Sequence, residues 1–228
     1  MSIPAINTPT FEVEVFSTQE KVRFRPFLVK EEKILILAQE SGERSEILRA
    51  MQDIVTACSN NVVDGASIPI FDLQNIFLRL RSQSIGGQSE FNLICGECNH
   101  RTPFTLNLDA VKLKTEEEHT NKIQLTDDIG VIMRYPKPED TVDEDITIFN
   151  LVVNCISQIY TPTEVHNTSD EPREEVEKFV DSLTTQQFES LTKFFETMPR
   201  LEHKVEYTCP NCSKENVVFM DGLESFFG

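Results

Sequence analysis

Four of the six cysteines stand in two C-x-x-C pairs: Cys95 and Cys98 in LICGEC, and Cys209 and Cys212 in YTCPNC. Two intervening residues let both thiolates of a pair turn toward one ion while nearby backbone N–H groups donate to sulfur. Gly96 in one pair and Pro210 in the other suit the tight turn this needs. Two such knuckles together supply the four ligands of a closed tetrahedral zinc site. Both pairs have the same surroundings. Phe91 and Leu93 alternate before the first, and Leu201, His203, Val205 and Tyr207 before the second. A short polar stretch follows each (NHRT, SKEN), and alternation then resumes through Phe104, Leu106 and Leu108, or Val217 and Phe219. Strand, turn, strand on both sides is the setting of a zinc ribbon, here split by about 110 residues of intervening chain.

Other thiol chemistries fit less well. Disulfides rarely persist in a cytoplasm. A thioredoxin-type redox centre needs one C-x-x-C opening a helix, and here there are two, each between strands. Four sulfurs leave no open position for water, so the expected zinc is structural rather than catalytic. His100, two residues past Cys98, is an alternative fourth ligand, although with four cysteines it reads as a solvent-facing or supporting residue. Cys58 and Cys155 lie on or beside apolar helical faces and read as ordinary buried thiols.

A search for enzyme chemistry finds no Gly-rich phosphate loop, no G-x-S-x-G and no H-E-x-x-H. His100, His119, His166 and His203 are scattered. The acidic runs at 116–118 and 170–175 read as solvated surface rather than paired catalytic carboxylates. The expectation is a binding or assembly component, not an enzyme. A net charge of −17, from 38 acidic and 21 basic residues, disfavours nucleic acid, whose binding depends on Lys and Arg displacing counterions. The same charge confers solubility and would steer a basic protein partner. No run approaches the length of a membrane span, and the opening MSIPAINTPT lacks the features of a secretory signal, so synthesis and folding in a cytoplasm are expected.

The elements that must position the cysteines follow from periodicity. Phe11, Val13 and Val15, then Val22 to Arg25, read as a hairpin. Helices are expected over 30–40, interrupted by Gly42, over 45–58, and around Leu73 to Leu80 with a stop at Gly86-Gly87. Ile123 and Leu125 with Ile129 to Tyr135 form a further hairpin. Thr141 to Glu144 has capping-box spacing ahead of a helix bearing Phe149, Val152, Val153 and Ile156. Residues 161–174 read as a polar surface loop. A helix with Val176, Phe179, Val180 and Leu183 comes next. A second capping box, Thr184 to Gln187, opens a last helix with Phe188, Leu191, Phe195 and Met198 along its face. The whole is α+β: split zinc-ribbon hairpins with antiparallel strands and a large helical insertion. It is read as a single domain over 1–228, the ribbon module at 88–109 and 200–221, the helical parts at 28–86 and 140–199.

Several segments resemble the baseplate hub subunit and hub assembly proteins of T-even-type contractile-tailed phages. They are RPFLVKEEKILILAQE at 25–40, IPIFDLQNIFLRLRSQSIGGQSEFNLICGEC at 68–98, RYPKPED at 134–140 and the C-terminal DGLESFF. The resemblance spans nearly the whole chain. It implies a protein that works at the phage tail baseplate hub, either staying in the virion or helping the hub form, assembled in the bacterial host cytoplasm, with other hub proteins as partners, and it carries no catalytic residues. Leu223, Phe226 and Phe227 near the C-terminus are apolar with no later residues to cover them, and are read either as docking residues or as part of the core. A zinc-ribbon regulator binding nucleic acid or polymerase is the alternative. It would want a basic stripe, whereas the knuckles set Arg101, Lys204 and Lys214 among Glu97, Glu202, Glu206 and Glu215.

Overall fold

The computed structural model describes residues 8–143 and 145–221. The chain is α+β and divides into two compact units, Met1–Lys114 with Arg200–Gly228, and Thr115–Pro199. Buried apolar residues correspondingly form two clusters rather than one.

In the first unit, β1 (Phe11–Val15) and β2 (Glu20–Phe24) pair as the expected hairpin. Helices α1 (Val29–Ser41), α2 (Arg44–Cys58) and α3 (Ile70–Ile85) follow. Gly42 ends α1 in the left-handed region at φ 73°, its N–H bonded to Gln39 O, a conformation that glycine adopts without steric cost. β3 (Gln88–Ile94) and β4 (Arg101–Asn107) form one hairpin. β5 (Lys112–Lys114) pairs with β10 (Arg200–Thr208), which also pairs with β11 (Glu215–Asp221), giving the order β11-β10-β5. Phe24, Ile54, Leu73, Ile76, Leu80, Leu108 and Leu201 are at most 1% exposed and define this core.

The second unit carries a four-stranded antiparallel sheet, β6-β7-β8-β9. Its strands are β6 (Lys122–Gln124), β7 (Gly130–Met133), β8 (Ile156–Tyr160) and β9 (Val165–Asn167). Its helices are α4 (Ile148–Cys155), α5 (Arg173–Asp181) and α6 (Thr185–Thr197). Val131, Met133, Val152, Cys155, Ile156, Leu191 and Phe194 form its core. His119 joins the wall of that core. It stacks on Tyr135, lies 5.1 Å from the Phe194 ring, and bonds Thr197 Oγ1 and Tyr135 OH through its two ring nitrogens.

Several expectations need correcting, and each has a physical cause. The spacing at 141–144 does not open α4. Thr141 closes a 3-10 turn, donating its hydroxyl to Pro138 O, and Thr147 caps α4 by accepting from Asn150 N. Ile156 is not on the helix face; it begins β8, which pairs with strands on both sides. The 161–174 loop contains β9 and a 3-10 turn, so the 140–199 part is not purely helical. On α6 Leu191 is buried and Phe188 and Phe195 pack partly buried against the core as expected, while Phe194, not among the expected residues, is buried with Leu191. On β11 the inward residues are Val218 and Met220, while Val217 and Phe219 face out. The Thr184–Gln187 capping box forms as expected, with reciprocal bonds between Thr184 and Gln187.

One device occurs in both units. In each, an arginine directly after a hairpin strand donates its backbone N–H to the carbonyl of a cysteine that ends a helix. The pairs are Arg25 with Cys58 O at 3.0 Å and Arg134 with Cys155 O at 2.7 Å. Each guanidinium grips an acid six residues on, Glu31 or Asp140. That acid in turn accepts from the N–H three residues before it, at Leu28 or Lys137. Both carboxylates are buried, and such buried ions persist only when paired and hydrogen-bonded. Glu31 is held below the ordinary carboxylate range: burial pushes it up, and the bonds from Arg25 and Leu28 N–H outweigh that push.

Two outcomes follow. Leu73→Ala should cost about 2–5 kcal/mol in denaturant unfolding, whereas Leu37→Ala, at a 66%-exposed position, should change stability by less than about 0.5 kcal/mol. Burial lowers the His119 pKa, so the unfolded chain binds that proton more readily than the folded one. Stability therefore falls as pH drops through the ordinary imidazole range near ~6.5, and His119→Gln should flatten that part of the curve in chemical denaturation from pH ~7.5 to ~5.5.

Candidate metal centre

The two C-x-x-C pairs occupy the turns of two hairpins in the first unit, β3–β4 and β10–β11. The local backbone is the same in both. Cys95 N–H donates to His100 O and Asn99 N–H to Cys95 O, at 3.0 and 2.9 Å. Cys209 N–H donates to Lys214 O and Ser213 N–H to Cys209 O, at 2.8 and 2.9 Å. The residue after the second cysteine is left-handed each time, Asn99 at φ 56° and Ser213 at φ 60°. That twist brings the next N–H round to sulfur, so His100 donates to Cys98 Sγ and Lys214 to Cys212 Sγ. Asparagine tolerates the left-handed region better than most residues, which suits it to this position.

The structure brings all four predicted ligands together. Cys95, Cys98, Cys209 and Cys212 place their sulfurs within 4.8 Å of one another. Across the hairpins, Cys95 Sγ lies 3.7 Å from Cys212 Sγ and Cys98 Sγ lies 3.6 Å from Cys209 Sγ. A disulfide requires ~2.05 Å, so these are not bonded pairs. A tetrahedron of sulfurs each ~2.3 Å from a central ion has edges of ~3.8 Å, close to these two separations. A further bond crosses between the knuckles, from Gly96 N–H to Asn216 Oδ1 at 3.3 Å. His100 contributes its backbone rather than its ring to the cluster as described.

Electrostatics point the same way. The N–H groups of Cys98 and Glu97 pull the Cys95 thiol down to about 6, and Asn211 with the His100 N–H lowers Cys98. Cys212 behaves differently. Its strongest neighbour, the Lys214 N–H, lowers it, but the sulfurs of Cys98, Cys95 and Cys209 together with desolvation push it up to about 12. The sulfurs therefore oppose one another's ionisation, with Cys95 and Cys98 lowered and Cys212 raised. A divalent ion removes that conflict, since the thiolate is the metal-binding form. Tyr207 is also pushed up, by desolvation first and then by the four nearby sulfurs.

The remaining cysteines lie apart from the cluster. Cys58 and Cys155 are buried free thiols, pushed up by burial to about 11 and about 12. No other group of three or more metal-ligating side chains occurs among the described residues. No helix among them is long and apolar enough to cross a membrane. Leu223, Phe226 and Phe227 lie outside the described residues. Sequence reasoning missed the paired Arg–acid devices, although the signal was present: RPFLVKE and RYPKPED both set an arginine six residues before an acid.

A family model described as T4 bacteriophage base plate protein matches residues 8–228. No curated protein and no solved structure matches. With nearly its whole length covered by that model, the chain belongs to the T4 bacteriophage base plate protein family.

Proposed function

We propose that this chain is a structural or assembly subunit of the phage tail baseplate hub, built on one structural zinc ion held by Cys95, Cys98, Cys209 and Cys212, and that it acts by docking to other hub proteins. The observation that carries the reading is the sulfur spacing of 3.6–3.7 Å between two hairpins in a chain of a baseplate family. In this reading the two hairpins are the halves of a split zinc ribbon. Four sulfur ligands close the coordination sphere, so the ion organises the fold and performs no reaction. The chain works without nucleic acid, as its −17 charge supports, and takes its place in the virion tail after assembly in the host cytoplasm. Leu223, Phe226 and Phe227 are proposed as docking residues.

Purified protein should contain about one zinc per chain and little iron by elemental analysis; less than a tenth of that after gentle purification would contradict the site. Cys95→Ser or Cys209→Ser should give insoluble or protease-sensitive protein. Zinc binding contributes ~10–16 kcal/mol in small peptide systems, comparable with the stability of a whole domain. Cys58→Ser and Cys155→Ser should act only through packing, at about 1–3 kcal/mol. Equal tolerance of all six substitutions would remove the structural role of the knuckles.

Docking is tested by affinity isolation of complexes from infected cells, scored by mass spectrometry against the phage's own baseplate proteins. Full-length chain should recover hub proteins, and a chain lacking 223–228 should be folded and zinc-loaded yet recover them poorly. Unchanged recovery would exclude the tail as the docking element; an unfolded truncation would assign it to the core.

A further inference from the structure

Helix α1 is covered on one side only. Of its residues Val29–Ser41, Glu31, Leu35 and Ala38 are buried, and the helix packs against α2. Yet Ile34, Leu35, Ile36, Leu37 and Ala38 are consecutive, and at about 3.6 residues per turn five residues pass round the whole helix. A helix apolar on every side is ordinarily buried on every side. Here Val29 and Leu37 are each 66% exposed and Ile36 46%.

The exposed residues line up. Val29, Lys33, Ile36 and Glu40 follow at spacings of four, three and four, with Leu37 beside them, so they form one stripe along the outer face. Alternating spacings of three and four are those of a seam between packed helices. The stripe holds two charges, and the chain meets neither. Residues one turn from Lys33 are Val29, Lys30, Ile36 and Leu37, none of them acidic, and those one turn from Glu40 within α1 are Ile36 and Leu37. Neither Lys33 nor Glu40 has an ion-pair partner among the described residues. The neighbouring charges are accounted for. Lys30 bonds to Glu31, which is buried against Arg25; Glu32 is half-buried, about a quarter-turn off the stripe; Arg44, past the break at Gly42, has an interaction within its own chain.

We infer that a second copy of this chain covers the outer stripe of α1, the two helices lying antiparallel about a two-fold axis that passes between Ile36 and Leu37. That arrangement brings Lys33 of each copy against Glu40 of the other, and Ile36 against Leu37, so one sequence supplies both halves of the seam. A parallel pair would instead set lysine on lysine and glutamate on glutamate. Residues 1–7 and 222–228 contain no lysine or arginine to meet Glu40, which disfavours the chain's own ends as the cover. Net charge does not prevent self-association. The second unit, residues 115–199, has 19 acidic and 6 basic residues, whereas the unit bearing α1 has 19 and 15 and is close to balanced. This association is independent of docking to hub proteins and adds to the function proposed above.

The test is sedimentation equilibrium of full-length, zinc-loaded chain. A pair of single helices buries less than a standard interface, so a weak dimer is expected, with a dissociation constant of roughly 10–100 µM. The two-fold axis makes every substitution act twice. Lys33→Glu alone and Glu40→Lys alone should each weaken the dimer at least about tenfold, while the double variant Lys33→Glu/Glu40→Lys should return to within about threefold of the natural chain. Loss of fold would not be rescued by the second reversal. Ile36→Ser/Leu37→Ser should be monomeric with zinc content unchanged. Monomer at every concentration, the result if another baseplate protein or the chain's own end covers the stripe, would overturn the inference. So would a dimer indifferent to the single reversals, or one that the double reversal fails to restore. Zinc content and recovery of hub proteins are measured on the same variants: their loss bears on the function proposed above, whereas failure to dimerise refutes only this pairing.

Discussion

Four thiol sulfurs drawn from hairpins 111 to 117 residues apart in sequence meet within 4.8 Å, and that meeting brings together the turns of two hairpins of the first unit. Closing a loop of that length costs about 5 kcal/mol in the chain-entropy model, while a structural zinc ion contributes ~10–16 kcal/mol in peptide systems. A bound ion therefore more than offsets the closure. Crowding of the four sulfurs raises the Cys212 thiol while backbone N–H groups lower Cys95, a conflict that a divalent cation relieves. The same knuckles set the start of β11, through the Cys209–Lys214 bond and the Gly96–Asn216 bond.

That arrangement explains how the second unit can sit within the first along the chain. Lys114, the last residue before it, pairs with Arg200, the first residue after it. A segment whose ends are strand neighbours can be inserted at small cost to the host fold. It then needs its own core, and Val131, Val152, Ile156 and Leu191 supply one. The two units share a means of turning from hairpin to helix: an arginine tied by its backbone to a helix-ending cysteine and by its side chain to an acid six residues on. Sharing this device at Arg25 and Arg134 reflects a common physical problem, which is how to hold the chain where the end of a hairpin strand meets the end of a helix.

Much of this was legible in the sequence. The knuckle context, the hairpins at 11–24 and 122–133, and the helices ending at Ser41, Cys58 and Ile85 follow from period and turn chemistry, and the structure bears out α+β. What failed did so where two signals compete. At 141–147, two threonines each offered a cap, and a proline-led 3-10 turn claimed the first. At 156–167, an apolar run continuing from α4 gave no sign that the chain reverses into β8, because pairing with β7 is a tertiary contact. At 217–220, VVFM is apolar at every position, so alternation could not say which pair faces inward. The two cores were hidden for a similar reason: apolar periodicity marks buried faces without saying which of them share a cluster.

The central claim is that four cysteine sulfurs hold one zinc ion. X-ray absorption at the zinc edge, on protein purified without added metal, tests it most directly. The account predicts a first shell of four sulfur atoms at a single distance near ~2.3 Å with no nitrogen or oxygen contribution. A shell containing nitrogen or oxygen, or sulfurs joined in pairs near ~2.05 Å with no zinc signal, would contradict it.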